Sequence, residues 1–162
     1  MVRLERLRAD HAEAVLAFER ENREYFARSV SDRGDAFFAG FFDLHRERLA
    51  EQDAGVCHFH VVTDEQGRLL GRVNLVDVTD GGAELGYRIA ERAAGRGVAT
   101  EAVAEVCRLA GTAYALTSLG AVAALDNTGS RRVLERNAFT SVGHEILVGR
   151  PALRYRRALQ AP

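Results

Sequence analysis

A chain of 162 residues fits within the ~100–200 residues of an ordinary domain, so length points to a single domain, 1–162. Apolar residues make up 47% and charged residues 28%, close to the averages of soluble globular proteins, which excludes a disordered or collagen-like chain. All 22 basic residues are arginine, balanced by 23 acids to a net charge of −1; without lysine there is no P-loop G-x-x-x-x-G-K-[ST] and no lysine Schiff base of the pyridoxal or aldolase kind.

Near-zero charge with no strongly basic block argues against nucleic acid as a partner, and the densest cluster, Arg154, Arg156 and Arg157, reads as the solvent face of a final strand. Apolar stretches end well before the ~18 residues of a membrane span, and the N-terminus lacks the apolar core of a signal peptide. A cytoplasmic protein with no membrane partner is expected. Cys57 and Cys107 stand far apart and read as buried thiols. His58 and His60 share one face of a strand and could reach one ion, yet no third ligand lies at a recognisable spacing. Polar residues on the strand's outer face explain the pair equally well, and no metal is expected.

In chain order, a strand near Val2–Leu7 leads to Asp10 and Glu13, a capping-box pattern for a helix carrying Ala12, Val15, Leu16 and Phe18. After a polar loop from Ser29 to Asp35, Phe37, Phe38, Phe41, Phe42, Leu44 and Leu49 predict one helix over about 36–52. The period then shifts to that of strands: VCHFHVVT, a turn DEQG, RLLGRVNLVDV, a turn TDGG, and AELGYRI form an antiparallel meander, with Asp77 and Asp80 as turn residues. A loop AERAAGRG precedes a long helix from Val98 to about Tyr114. There follow a strand near 119–125, a loop at 126–128, a short helix to about Asn137, and strands near 140–148 and 153–159. This order predicts an α/β (α+β) domain, a mixed and mostly antiparallel sheet of about 6–7 strands flanked by about 4 helices.

Chemistry concentrates in Arg92-Ala93-Ala94-Gly95-Arg96-Gly97-Val98-Ala99-Thr100-Glu101, where a strand ends and the long helix begins. Amides at a helix start have no intrahelical partner and the helix dipole adds partial positive charge, so the place suits a phosphate or pyrophosphate. Gly95 and Gly97 let the backbone approach such a ligand. A dinucleotide fingerprint would need a third glycine where Thr100 stands, and an acid earlier than Asp126. Within the meander, Gly86 is what a bulge or a close backbone approach would call for.

With LDNTGSRRVLERNAF following ELGYRIAERAAGRGVATEAV, the chain resembles the GNAT acyl-CoA N-acyltransferase superfamily, and within it the RimJ/RimL-like ribosomal-protein N-acetyltransferases. The resemblance implies acetyl-CoA as co-substrate, its pyrophosphate gripped by Arg92, Gly95, Arg96, Gly97, Val98, Ala99 and Thr100. It implies that the strand end from Tyr87 to Ile89 offers backbone groups to the pantetheine arm, that Asn127 binds that arm, and that Ser130 gives a proton to the departing thiolate. Asn127 and Ser130 also suit a helix cap. Leu134 stands where many of these enzymes carry a proton-donating tyrosine, and Ala138-Phe139 replaces their usual Gly-Phe. Glu84, which shares a strand face with Arg88, occupies the position where related enzymes carry an acid acting through water, and is the candidate general base. His144 and Tyr25 are weaker candidates on the acceptor side.

The resulting expectation is direct attack of a primary amine on acetyl-CoA in a ternary complex, the acceptor being a protein or peptide N-terminal α-amine. A small-molecule amine such as an antibiotic or amino acid, and a catalytically silent acyl-CoA-binding domain, are the alternatives. The sequence leaves oligomeric state open, a homodimer included.

Overall fold

In the computed structural model, which describes residues 1–160, seven strands build one sheet: β1 (Arg3–Arg6), β2 (His58–Thr63), β3 (Leu69–Thr79), β4 (Gly82–Ile89), β5 (Ser118–Ala124), β6 (Thr140–Leu147) and β7 (Arg150–Ala158). Ala161 and Pro162, the end of the expected domain, lie outside the described residues. The strand order is β1-β2-β3-β4-β5-β7-β6, and every neighbouring pair is antiparallel except β4 with β5. The parallel pair follows from the connection, since α5 (Val98–Thr112) carries the chain back across the sheet between those strands.

Alternation along the strands divides two cores. Val73 and Leu75 of β3, with Ala83 and Leu85 of β4, meet Ala102, Val103, Val106 and Ala110 of α5 on one face. Val103 and Val106 are fully buried, each contributing about 1.5–3 kcal/mol relative to an exposed side chain. On the opposite face Phe59 and Val61 meet Val15 and Leu16 of α1 (Ala12–Glu21) and Phe41 of α4 (Phe41–Asp53).

Among the described residues six α-helices form where about four were expected, because two predicted helices are interrupted. Asn22 ends α1 before α2 (Arg23–Ala27): its Nδ2 donates to the Phe18 carbonyl at 2.9 Å and its Oδ1 accepts from the Glu91 amide at 3.0 Å. Such side-chain competition for backbone partners favours leaving the helix. Gly40, at φ −99° and ψ 17°, separates α3 (Asp35–Ala39) from α4. The expected Asp10/Glu13 box is replaced by a 3₁₀ turn over Ala9–His11, in which the Arg8 amide donates to His11 Nδ1 at 3.0 Å and Asp10 accepts from Arg8 Nε. α6 (Thr128–Arg136) completes the set.

The strand holding His58 and His60 has no solvent face: all six residues of β2 are buried. His58 stacks on Tyr114 with ring centroids 3.8 Å apart, and His60 Nε2 lies 2.6 Å from the Tyr114 hydroxyl. Among the described residues no group of three or more His, Cys, Asp or Glu could hold a metal ion. Cys57 and Cys107 are buried free thiols. Arg154 leaves the expected solvent face of the last strand and turns to Glu84 and Glu145 instead.

Candidate active site

The site arises from incomplete pairing. β4 and β5 share only the rungs Gly82–Ser118, Ala83–Leu119 and Glu84–Gly120, while β4 pairs with β3 as far as Ile89 and β5 pairs with β7 as far as Ala124. Beyond Glu84 the two parallel strands diverge. Half of the backbone N–H and C=O groups of 85–89 therefore face a cleft rather than a neighbouring strand, available to a ligand that presents amides of its own. A cavity of about 570 Å³ opens there, bordered by Gly86, Tyr87 and Ile89 on one side and by 121–124 with Asn127 and Ser130 on the other. Of the two readings of Gly86, the bulge is absent, because Gly86 pairs in register with Asn74; the ladder's irregularity falls instead between Val76 and Thr79, where Asp77, expected in a turn, stays within β3 at φ 53°, while Asp80 takes φ 49° in the turn that follows.

At one end of the cleft lies the loop before α5. Gly95 and Gly97 have φ of +75° and +76°, a region that L side chains adopt only at a cost, and Gly97 is the N-cap of α5. The first intrahelical bond runs from the Glu101 amide to the Gly97 carbonyl at 3.0 Å, which leaves the amides of Val98, Ala99 and Thr100 without intrahelical partners. Space beyond both glycine Cα atoms is open. Glycine-backed amides, a helix N-terminus and a cleft-facing strand edge match a pyrophosphate joined to an amide-bearing arm, so the residues present fit coenzyme A.

At the other end, Asn127 caps α6, its Oδ1 accepting from the Ser130 amide at 3.1 Å. The capping reading of Asn127 is therefore realised, and its Nδ2 has no hydrogen-bond partner among the described residues. The Ser130 hydroxyl lies 2.9 Å from the Tyr87 hydroxyl. Burial pushes the Tyr87 phenol above its usual pKa, partly offset by that hydrogen bond. The Tyr87 side chain went unrecognised in the sequence, where this residue was assigned backbone contacts only; strand alternation, which turns Tyr87 with Leu85 toward the α5 face, was the available signal.

The structure thus gathers Tyr87, Ile89, Gly95, Gly97, Ala99, Thr100, Asn127 and Ser130 around one cavity. Arg92, Arg96 and Val98 border the loop without lining the cavity: Arg92 donates to the Leu69 carbonyl and Arg96 to the Arg92 carbonyl at 2.8 Å, while the Val98 side chain enters the core. Glu84 also stands outside it. Its two oxygens accept from Arg154 at 2.8 and 3.1 Å, and Arg154 in turn holds Glu145, a chain of charges crossing the end of the β4–β5 ladder over Gly120. Tyr25 lines the cavity, joined by Phe26, Ser29 and Val30, which the sequence reading did not single out; His144 is exposed on β6 and does not line it. Leu134, in the place of the tyrosine common in related enzymes, is core. Among the described residues, no aspartate or glutamate lines the cavity, whereas Arg88, Arg132 and Arg136 do.

A family model described as an acetyltransferase (GNAT) domain matches residues 2–140. The chain is 30% identical over 145 residues to the probable N-acetyltransferase YjcK of Bacillus subtilis, covering 85% of this chain and 79% of that one. Its fold is similar to that of the ribosomal-protein-S5-alanine acetyltransferase of Vibrio fischeri, with TM-score 0.90 at 18% identity over 97% of this chain and 92% of that one. It also resembles RimL, a ribosomal L7/L12 α-N-protein acetyltransferase solved with coenzyme A, with TM-score 0.88, 17% identity and coverage of 99% and 96%. A spermidine N-acetyltransferase of Vibrio cholerae solved with coenzyme A and spermine gives TM-score 0.81 at 19% identity over 97% and 95%. Family match and cleft together make the chain a member of the GNAT acetyltransferases, an N-acetyltransferase that uses acetyl-CoA.

Proposed function

We propose that this enzyme acetylates an α-amine, most naturally the free N-terminus of a protein or peptide, by direct attack in a ternary complex. The observation that carries the reading is a reaction cavity with no carboxylate among its described lining residues. An α-amine of pKa ~7.7–8.0 is partly neutral near pH 7.5 and needs little help, whereas a lysine amine at ~10.4 is about 0.1% neutral and needs a strong base. A polyamine would find no counter-charge in this cavity. The ribosomal-protein acetyltransferases among the fold neighbours, one of them an α-N-protein acetyltransferase, agree with this acceptor, and the spermidine enzymes among them represent the other reading.

Acetyl-CoA supplies a thioester whose C–S bond breaks as the amine nitrogen bonds to the carbonyl carbon, so the amine must lose a proton and the sulfur must gain one. Loop amides at 95–100 and the open β4 edge at Tyr87 and Ile89 hold and orient the co-substrate, with Asn127 Nδ2 at the arm. A cleft-facing β4 amide serves the carbonyl oxygen. Ser130 Oγ gives the sulfur its proton and is replenished from Tyr87 Oη, 2.9 Å away, which supplies the phenol that Leu134 cannot. For the amine proton, Glu84 is the candidate base; with both oxygens on Arg154 and none on the cavity, its geometry supports fixing the strand junction at Gly120, and water accepts the proton of an acceptor that is already partly neutral.

Thiol release from acetyl-CoA with a free N-terminal peptide tests this assignment. Ser130→Ala is expected to lower kcat about 10²-fold, Tyr87→Phe less, and Glu84→Gln to leave the pH profile of kcat between 6 and 9 unchanged in shape. Wild-type turnover in Ser130→Ala, or faster release with spermidine than with any peptide, would count against it.

A further inference from the structure

On the α1 face of β3 and β4, a single buried carboxylate is shared by three arginines, with a fourth nearby. Glu19 of α1 is 1% exposed; it accepts from Arg33 at 3.3 Å through both oxygens and from Arg72 at 3.4 Å, and lies 3.7 Å from Arg88. Arg48 of α4 joins the same electrostatic group. Arg72 is 2% exposed, and its Nε and Nη2, like Arg48 Nη1, are buried without a hydrogen-bond partner among the described residues. Of the other carboxylates acting on the group, Asp32 is paired with Arg23 at 2.8 and 2.9 Å, and Glu51, which accepts from the Cys57 thiol at 3.4 Å, acts on Arg48, leaving four guanidinium groups against two carboxylates. Positive charge therefore exceeds its compensation in a poorly hydrated place, which is costly. The Arg72 guanidinium reflects this, its pKa drawn down to about 9 by burial first and then by Arg48 and Arg33, against the pull of Glu19.

Arg88 connects this excess charge to the reaction cavity. It pairs across the ladder with Arg72, lines the cavity beside Tyr25, Phe26 and Ser29, and sits over the Phe26 ring at 4.9 Å. No hydrogen bond to its guanidinium exists among the described residues, and its side chain remains 21% exposed. By strand alternation Arg88 points to the face opposite Tyr87 and Ser130, so it meets the acceptor side of the cleft rather than the proton-donating pair.

We infer that the acceptor amine carries a carboxylate that docks on Arg88, with Arg72, Arg33 and Arg48 supplying the field behind it. The inference rests on the α-amine reading and narrows it. A guanidinium presents parallel N–H donors that match a carboxylate, and Phe26 fixes the guanidinium plane. The carboxylate can come from an acidic side chain next to a peptide N-terminus or from the α-carboxyl of a free amino acid. Polycationic amines are excluded by the same field.

Matched acceptors separate these sources. One arm compares amidated tripeptides Ser-Asp-Ala and Ser-Asn-Ala; the other compares a free amino acid with its amide, rates being expressed per neutral amine. At least a tenfold higher kcat/KM is expected for the carboxylate member of one arm, collapsing toward unity in Arg88→Gln. Equal kcat/KM within both arms, or a preference that Arg88→Gln preserves, overturns the inference while leaving α-amine acetylation in place. Preference for spermidine or for an N-blocked lysine peptide would overturn the α-amine reading itself. A readout independent of the variant is inhibition of the wild type: succinate should compete with the amine and succinamide should not, and equal effects of the two would contradict the site.

Discussion

Gly97 holds its place through backbone conformation. A Cβ there would meet open space, so the cost of a side chain is the positive φ and the shielding of amides that a pyrophosphate must reach. Gly97→Val is expected to weaken coenzyme A binding by about 1–2 kcal/mol, measured by calorimetric titration, with folding retained because the loop is at the surface; unchanged affinity would remove the pyrophosphate from this loop. Residues of this kind were legible in the sequence, since glycine between a strand and a helix states a backbone requirement whatever the rest of the fold does. Tyr87 and Arg88 were not. They are adjacent on one strand and point to opposite faces, one to Ser130 and the other to the arginine group, and the sequence does not say which layer covers which face. Arg92 and Arg96 show the converse: the motif places them at the loop, and their donors end on backbone carbonyls.

α6 ends in a Schellman arrangement in which the Phe139 amide donates to the Leu134 carbonyl at 3.0 Å and the Ala138 amide to the Glu135 carbonyl at 3.1 Å. That geometry requires the left-handed region at Ala138, where φ is +63°. The alanine that departs from the Gly-Phe of related enzymes thus carries strain that a glycine would relieve. Ala138→Gly is expected to raise stability by about 0.5–1 kcal/mol, the relief being partly offset by the greater freedom of glycine in the unfolded chain. Thermal melting checks this, and a lower melting temperature would contradict the assignment of strain. At the same scale, element existence and order were readable from periodicity, whereas the breaks at Asn22 and Gly40 were not: Asn22 leaves the helix to reach Glu91, a partner 69 residues away. Burial of the histidine strand was hidden for the same reason, because Tyr114 covers it from just beyond the C-terminal end of α5.

Across the whole molecule, the buried histidine pair makes stability depend on pH. Burial draws the His60 pKa down to about 4 from 6.5, and His58 and His11 shift in the same direction. Above 6.5 the ring is neutral in both folded and unfolded chains. Below 6.5 the unfolded chain takes up a proton that the folded one refuses, so stability falls until the folded ring protonates near 4, a loss on the order of 3 kcal/mol. Urea unfolding at pH 7.5 and pH 5 should show lower stability at pH 5 and a smaller difference in His60→Gln; equal stability at the two values would contradict a neutral buried ring.

The most direct test of α-amine acetylation uses the lysine-free composition of the chain, since any acetyl-lysine formed must belong to an added substrate. Two peptides are incubated with enzyme and acetyl-CoA, one with a free N-terminus and no lysine, the other N-terminally blocked with a single lysine, and initial rates of acetylation are followed by mass spectrometry. Acetylation of the free N-terminus is predicted to be at least tenfold faster near pH 7.5, as the neutral fractions of the two amines require. Faster acetylation of the blocked lysine peptide would contradict it.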